Sequence, residues 1–166
     1  MTELHISWDD YHAKIEQLAV KIYQSQWEFN QILCLARGGL RIGDILSRIY
    51  NQPLAILSVS SYSGEDGNVR GELHFARSIT MSTKQLGDRV LLVDDLVDSG
   101  VTLKETLVWL KQHPEYAIAD VKTAVLWYKA CSVITPDFYV DYLSDSPWIH
   151  QPFGRYEQIK PEDLLP

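Results

Sequence analysis

The sequence predicts an α/β fold, with a mainly parallel sheet flanked by helices and a small hood built from the C-terminal segment. Three observations predict it. Segments with strand-like apolar runs alternate with segments whose apolar residues recur at helical spacing. The runs Ile32 to Ala36 and Val90 to Val93 are continuous rather than alternating, as in strands covered on both faces. The length, 166 residues, matches a single domain over 1–166, with a core over about 30–130 and a hood from about 131–166 together with the N-terminal helix.

The elements follow in order. From Ser7 onward, Tyr11, Ile15, Leu18, Ala19 and Ile22 form one helical stripe, with Ser7 as cap and Asp10 in the first turn. Ile32 to Ala36 is a strand ended by Arg37-Gly38-Gly39, and Leu40, Ile42, Ile45, Leu46 and Ile49 then restore the helical period. Pro53 to Ser60 reads as the next strand. Ser61 to Gly71 collects glycines and has no apolar period, which is the pattern of a mobile loop. Glu72 to Thr80 alternates weakly, as the return strand of a hairpin would. Val90 to Val93 is the central strand, and Leu103, Leu107 and Leu110 mark a helix over Val101 to Lys111. Val121 to Tyr128 and Phe138 to Tyr142 are further strands.

Composition excludes several classes. Lys plus Arg number 15 against 22 Asp plus Glu, a net charge of −7, which disfavours a nucleic-acid partner. Apolar residues at 46% and charged residues at 22% are ordinary for a chain that buries a core. No apolar run is long enough for a membrane span. Met1 to Asp10 carries Glu3, Asp9 and Asp10 rather than a basic start and an apolar stretch, so no secretory leader is expected. Cys34 and Cys131 form no CxxC and read as buried thiols. A cytoplasmic protein is the expectation.

In sheets of this kind ligands sit beyond the carboxyl ends of the strands. Arg37-Gly38-Gly39, the turn from Asp94 to Thr102, and Lys129 all fall there. Asp94 and Asp95 repel each other and are costly unless a cation or hydroxyl groups use them; the alternative is a solvated strand end. The turn Asp98-Ser99-Gly100-Val101-Thr102 opens a helix, where successive amides make an anion nest. Thr102 and Glu105 have capping-box spacing, so Thr102 as a plain helix cap competes with an anion. Capping accounts for Thr102 but leaves Asp94, Asp95 and Asp98 unexplained. Acids beside an anion nest point to a phosphorylated polyol.

The stretch Val90-Leu-Leu-Val-Asp-Asp-Leu-Val-Asp-Ser-Gly-Val-Thr-Leu103 resembles the phosphoribosyl pyrophosphate (PRPP) signature of type I phosphoribosyltransferases. The resemblance implies the fold of that family. It also implies that Asp94 and Asp95 hold the ribose hydroxyls and Mg2+, the latter directly or through those hydroxyls, and that Asp98, Ser99, Gly100, Val101 and Thr102 hold the 5-phosphate. Arg37-Gly38-Gly39 then resembles the family's pyrophosphate loop, with Arg37 supplying charge, and Ser61-Tyr62 the Ser-Tyr pair of its catalytic flap. Asp98 is the candidate base near purine N7.

Lys129 followed about twenty residues later by Trp148-Ile149 resembles the 6-oxopurine subgroup, the xanthine-guanine enzymes above all. There the lysine donates to the 6-oxo group, the aromatic stacks on the ring, and the next backbone meets the exocyclic position. The sequence departs from the subgroup at Gly154, where an acid assisting a second Mg2+ is usual, and at His150. The implied reaction joins PRPP to a 6-oxopurine and releases pyrophosphate and a nucleoside monophosphate, in a homodimer or homotetramer. Two other readings stand beside it: a PRPP-sensing regulator, which usually shows a basic face or a DNA-binding domain, and a transferase acting on a non-purine base.

Overall fold

The computed structural model describes residues 2–61 and 72–165. Its strands are β1 (Glu3–His5), β2 (Gln31–Ala36), β3 (Leu54–Ser61), β4 (Leu73–Phe75), β5 (Thr80–Met81), β6 (Arg89–Val93), β7 (Leu96–Val97), β8 (Asp120–Lys129), β9 (Phe138–Leu143) and β10 (Trp148–His150). The α-helices are α1 (Trp8–Gln24), α2 (Leu40–Tyr50) and α3 (Val101–Lys111). Tyr62, the second residue of the expected flap pair, lies outside the described residues, whereas Ser61 ends β3 and pairs with Leu73.

The main sheet runs β3-β2-β6-β8-β9 with every neighbour parallel, and β4 and β5 add antiparallel to β3. The pleat explains the continuous apolar runs. Along β2, Ile32 and Cys34 face a core shared with Tyr11, Ile15, Leu18 and Ile22 of α1 and Ile42 and Leu46 of α2. Leu33 and Leu35 face the opposite core with Leu103 and Leu110 of α3. Both faces are covered, so apolar side chains are required at successive positions. The N-terminal helix, grouped with the hood on sequence grounds, packs on β8, β9 and α2. Its start is a reciprocal capping box, in which the Asp10 amide donates to Ser7 Oγ at 3.1 Å.

The connections decide where a ligand fits. From β2 the chain moves through α2 to β3 on one side, and from β6 through α3 to β8 and β9 on the other. The connections therefore diverge between β2 and β6, and a crevice opens at the carboxyl ends of those two strands. Arg37-Gly38-Gly39 and Asp94-Asp95 are the residues found there.

β6 ends at Val93 as expected, and backbone bonding to β8 runs on past it: the Asp94 amide donates to the Ala124 carbonyl at 3.1 Å, the Asp95 carbonyl accepts from Leu126 at 3.0 Å, and β7 follows. One local expectation changes. Cys34 is buried as expected, its thiol pushed up to about 12 by burial, but Cys131 is exposed. Cys131 belongs to the turn after β8, where the chain leaves the sheet and no helix covers it.

Beyond the sheet, β1 and β10 form a separate parallel pair, with Glu3 opposite Trp148, Leu4 opposite Ile149 and His5 opposite His150. Leu4 and Ile149 pack on the α1 side of the core.

Candidate active site

The acid pair and the glycine loop meet at the crevice. A methyl group on Gly38 would sit 2.4 Å from Asp95 Oδ1 and 2.8 Å from Asp94 Oδ1, so only glycine lets this backbone lie against the carboxylates. The Asp95 amide donates to Asp94 Oδ1 at 2.9 Å. Burial first, and the charge of Asp95 second, push the Asp94 carboxyl well above the usual carboxylate range. Gln151 Nε2 donates to Asp95 Oδ2 at 2.5 Å, while its own buried Oε1 finds no partner among the described residues. No Lys or Arg among the described residues forms an ion pair with either acid.

This imbalance has a sign. An unfolded aspartate releases its proton near about pH 3.9, whereas folded Asp94 keeps its proton to higher pH. Through that window the folded state binds more protons, and stability falls as pH rises. Asp94→Asn is therefore expected to flatten the fall of stability as pH rises above the ordinary carboxylate range and to raise the urea midpoint of the ligand-free protein on the alkaline side of that fall. Urea unfolding at several pH values checks it, and an unchanged slope contradicts it.

The helix after the acids starts at Val101, with Gly100 as N-cap at φ 78° and no side chain capping it. Thr102 is thus inside the helix and does not use its capping-box spacing; its carbonyl accepts from Thr106 Oγ1 at 2.7 Å. Gly100 holds a left-handed conformation that costs other residues about 1–2 kcal/mol. The first amides of α3 and the positive end of its dipole are left for an anion. Ser99 Oγ accepts only a long 3.4 Å bond from the Val101 amide.

Lys129, at the end of β8, is buried with its side chain 5% exposed, and its Nζ donates to Asp98 Oδ2 at 3.1 Å. The sequence assigned these residues separate roles; the structure couples them. Cys131 Sγ lies 3.5 Å from Asp98 Oδ1 on the other oxygen.

An open cleft of about 1550 Å³ covers the crevice, lined by Arg37, Gly38, Asp94, Asp95, Thr102, Trp148 and Ile149 among others. The segment from Trp148 to Gln158 supplies much of the remaining lining. Trp148 is 57% exposed, with a ring face available to a flat ligand. Gly39, Asp98, Ser99, Gly100, Val101 and Lys129 do not line the cleft. Arg37 is 86% exposed and 3.6 Å from Glu157, a pair worth no more than about 1 kcal/mol at such exposure, so an incoming anion displaces Glu157 readily. Arg41 stacks over Phe153 at 4.3 Å and, with Arg155, adds further positive charge to the lining.

Sequence reasoning passed over Gln151, Arg41 and Glu157. Gln151 stands two residues after the Trp148-Ile149 pair that the sequence singled out, but nothing local marks it as a partner of Asp95.

Comparison with known proteins agrees with this geometry. A family model described as a phosphoribosyl transferase domain matches residues 7–158. A xanthine-guanine phosphoribosyltransferase of Idiomarina loihiensis is 28% identical over 93% of this chain and 88% of its own length. One from Gluconobacter oxydans is 34% identical over 60% of this chain and 58% of its own. The crystal structure of a purine phosphoribosyltransferase from Pyrococcus horikoshii superposes with a TM-score of 0.74 at 28% identity, covering 92% of this chain and 94% of that one.

Proposed function

The chain belongs to the phosphoribosyl transferase domain family, and from that premise we propose that it is a purine-salvage enzyme that moves phosphoribosyl from PRPP to a 6-oxopurine. The products are pyrophosphate and a nucleoside monophosphate. The observation that carries this reading is the acid pair set between a glycine loop and the uncapped start of α3, at the divergence of the strand connections. The xanthine-guanine and purine enzymes it resembles support the class of acceptor.

The donor set fits Mg2+. Two crowded carboxylates lack a countercharge, and one is pushed up by burial first and by its neighbour's charge second, which suits a hard dication taking oxygen ligands. Asp94 and Asp95 would hold it directly or through the ribose hydroxyls, and when bound it neutralises the diphosphate. At Gly154 the usual acid is missing, and a side chain there would meet nothing within 4 Å, so no second cation is assigned.

As the bond at ribose C1 opens, positive charge grows on the sugar and negative charge on the leaving oxygens. The protein's task is positioning and fixed charge. Arg37 and the amides of Gly38 and Gly39 face the diphosphate, while Ser99, Gly100, Val101 and Thr102 take the 5-phosphate at the helix start. Trp148 stacks on the base and the Ile149 backbone meets its exocyclic position. Lys129 exchanges its bond to Asp98 for one to the 6-oxo group, which frees Asp98 to accept the proton from the purine at N7. Ser61 and Tyr62 open the flap that keeps water from the reacting sugar. The chain works as one domain of core and hood, in the cytoplasm, as a homodimer or homotetramer.

The test is incubation with PRPP, Mg2+ and one nucleobase at a time, with pyrophosphate and nucleotide both measured. Equimolar pyrophosphate and nucleotide are expected with hypoxanthine, guanine or xanthine. Product with orotate or adenine alone contradicts the assignment.

A further inference from the structure

The hood carries a second convergence of ligand atoms, apart from the acid pair. Side chains alternate along β1 and β10, and since Leu4 and Ile149 face the core, Glu3, His5, Trp148 and His150 share the outer face. The parallel register sets His5 opposite His150, with the rings stacked at 4.3 Å and 3°. Backbone bonds fix this pairing: the Trp148 amide donates to the Thr2 carbonyl at 2.9 Å and the Ile6 amide to the His150 carbonyl at 3.0 Å. Nε2 of each ring lies 3.5 Å from the same oxygen of Glu3, Oε2. That is too long for a hydrogen bond, yet all three ligand atoms fall within 4.8 Å of one another. Among the described residues these side chains form no hydrogen bond, so three strong ligand atoms stand within reach of one ion, and a tilt of the near-parallel rings brings both Nε2 lone pairs onto it. Mutual charge attraction does not explain them, because pairs as exposed as His5 and Glu3, at 72% and 58%, contribute little.

We propose that Glu3, His5 and His150 bind one divalent transition-metal ion of the Zn2+ type. Two imidazoles and a carboxylate suit Zn2+, Co2+ or Ni2+, whereas Mg2+ prefers oxygen donors and retains its waters. Three protein ligands leave a tetrahedral ion one open position. His5 and His150 both line the cleft, so that position is accessible from the side where substrate enters. The ligands come from both strands, and the ion therefore clips β1 to β10, the strand that carries Trp148. The site makes no use of the acid pair and stands independently of the proposed transferase reaction.

The test uses tag-free protein with Mg2+ in excess, so that the carboxylates of Asp94 and Asp95 do not draw the added metal. Calorimetric titration with Zn2+ is expected to show one equivalent bound, Co2+ to give visible bands of a low-coordinate nitrogen-oxygen site, and Zn2+ to raise the melting temperature. His5→Gln and His150→Gln should each weaken binding by at least about 10- to 100-fold, the loss that follows removal of a mere supporting partner of a metal ligand. Both should abolish the melting shift, while His12→Gln, exposed on α1, changes neither. The side chains replaced are on the surface, so the variants keep the fold. Absence of Zn2+ binding by the wild-type protein overturns the proposal, and so does binding that survives both substitutions.

Discussion

Asp98→Asn is expected to lower kcat by about 10²- to 10⁴-fold, the contribution of a positioned proton acceptor, while the affinity for PRPP stays near that of the wild type. The structure is the reason for choosing asparagine. Lys129 is buried and its ammonium rests 3.1 Å from Asp98 Oδ2, so a substitution removing that oxygen would strand a buried charge. Asparagine keeps an oxygen toward the lysine and removes only the proton-accepting charge. Unfolding midpoints should fall, because the buried ammonium loses its countercharge, but less than in Asp98→Ala, and pre-steady-state measurement of the folded protein should place the loss in the chemical step. An unchanged kcat removes Asp98 from the proton transfer.

The second large effect concerns the acceptor. Lys129→Ala is expected to reduce kcat/KM for hypoxanthine, guanine and xanthine alike by about 10- to 100-fold, in line with a charged hydrogen bond worth about 1.5–3 kcal/mol, with PRPP binding retained. Because the side chain is also buried, Lys129→Met separates lost charge from lost volume. Both variants should show the same defect toward the purine if the ammonium is what matters. A preference for adenine in the wild-type protein, which lacks the 6-oxo group, contradicts the role given to Lys129.

Local signals carried most of the fold. The apolar stretch from Val90 to Val93, the polar turn and the helical period from Val101 are contiguous, and each is legible because neighbours in sequence are neighbours in space. The same holds for Ser7 and Asp10 at the start of α1. What escaped is non-local or decided by packing. Gln151 reaches Asp95 across 56 positions of chain, through a pairing of β1 with β10 that neither short strand announces. Thr102 and Glu105 have real capping spacing, but the left-handed Gly100, packed where a methyl group would meet Ser132 Oγ at 2.2 Å, starts the helix two residues earlier. Lys129 and Asp98 were each singled out, yet their coupling depends on the end of β8 lying beside the turn after β7. The exposure of Cys131 follows from the same geometry, since a residue just past a strand end has no covering layer.

The central claim is that the bend carrying Asp94 and Asp95 grips a sugar bearing phosphate at one end and diphosphate at the other. Calorimetric titration of the unaltered protein with PRPP in the presence of Mg2+ addresses it directly, alongside the double variant Asp94→Asn, Asp95→Asn. A saturable heat with one PRPP per chain, lost in the double variant although that variant remains folded, is the expected result. No heat from the unaltered protein, or equal binding by the variant, would contradict the account.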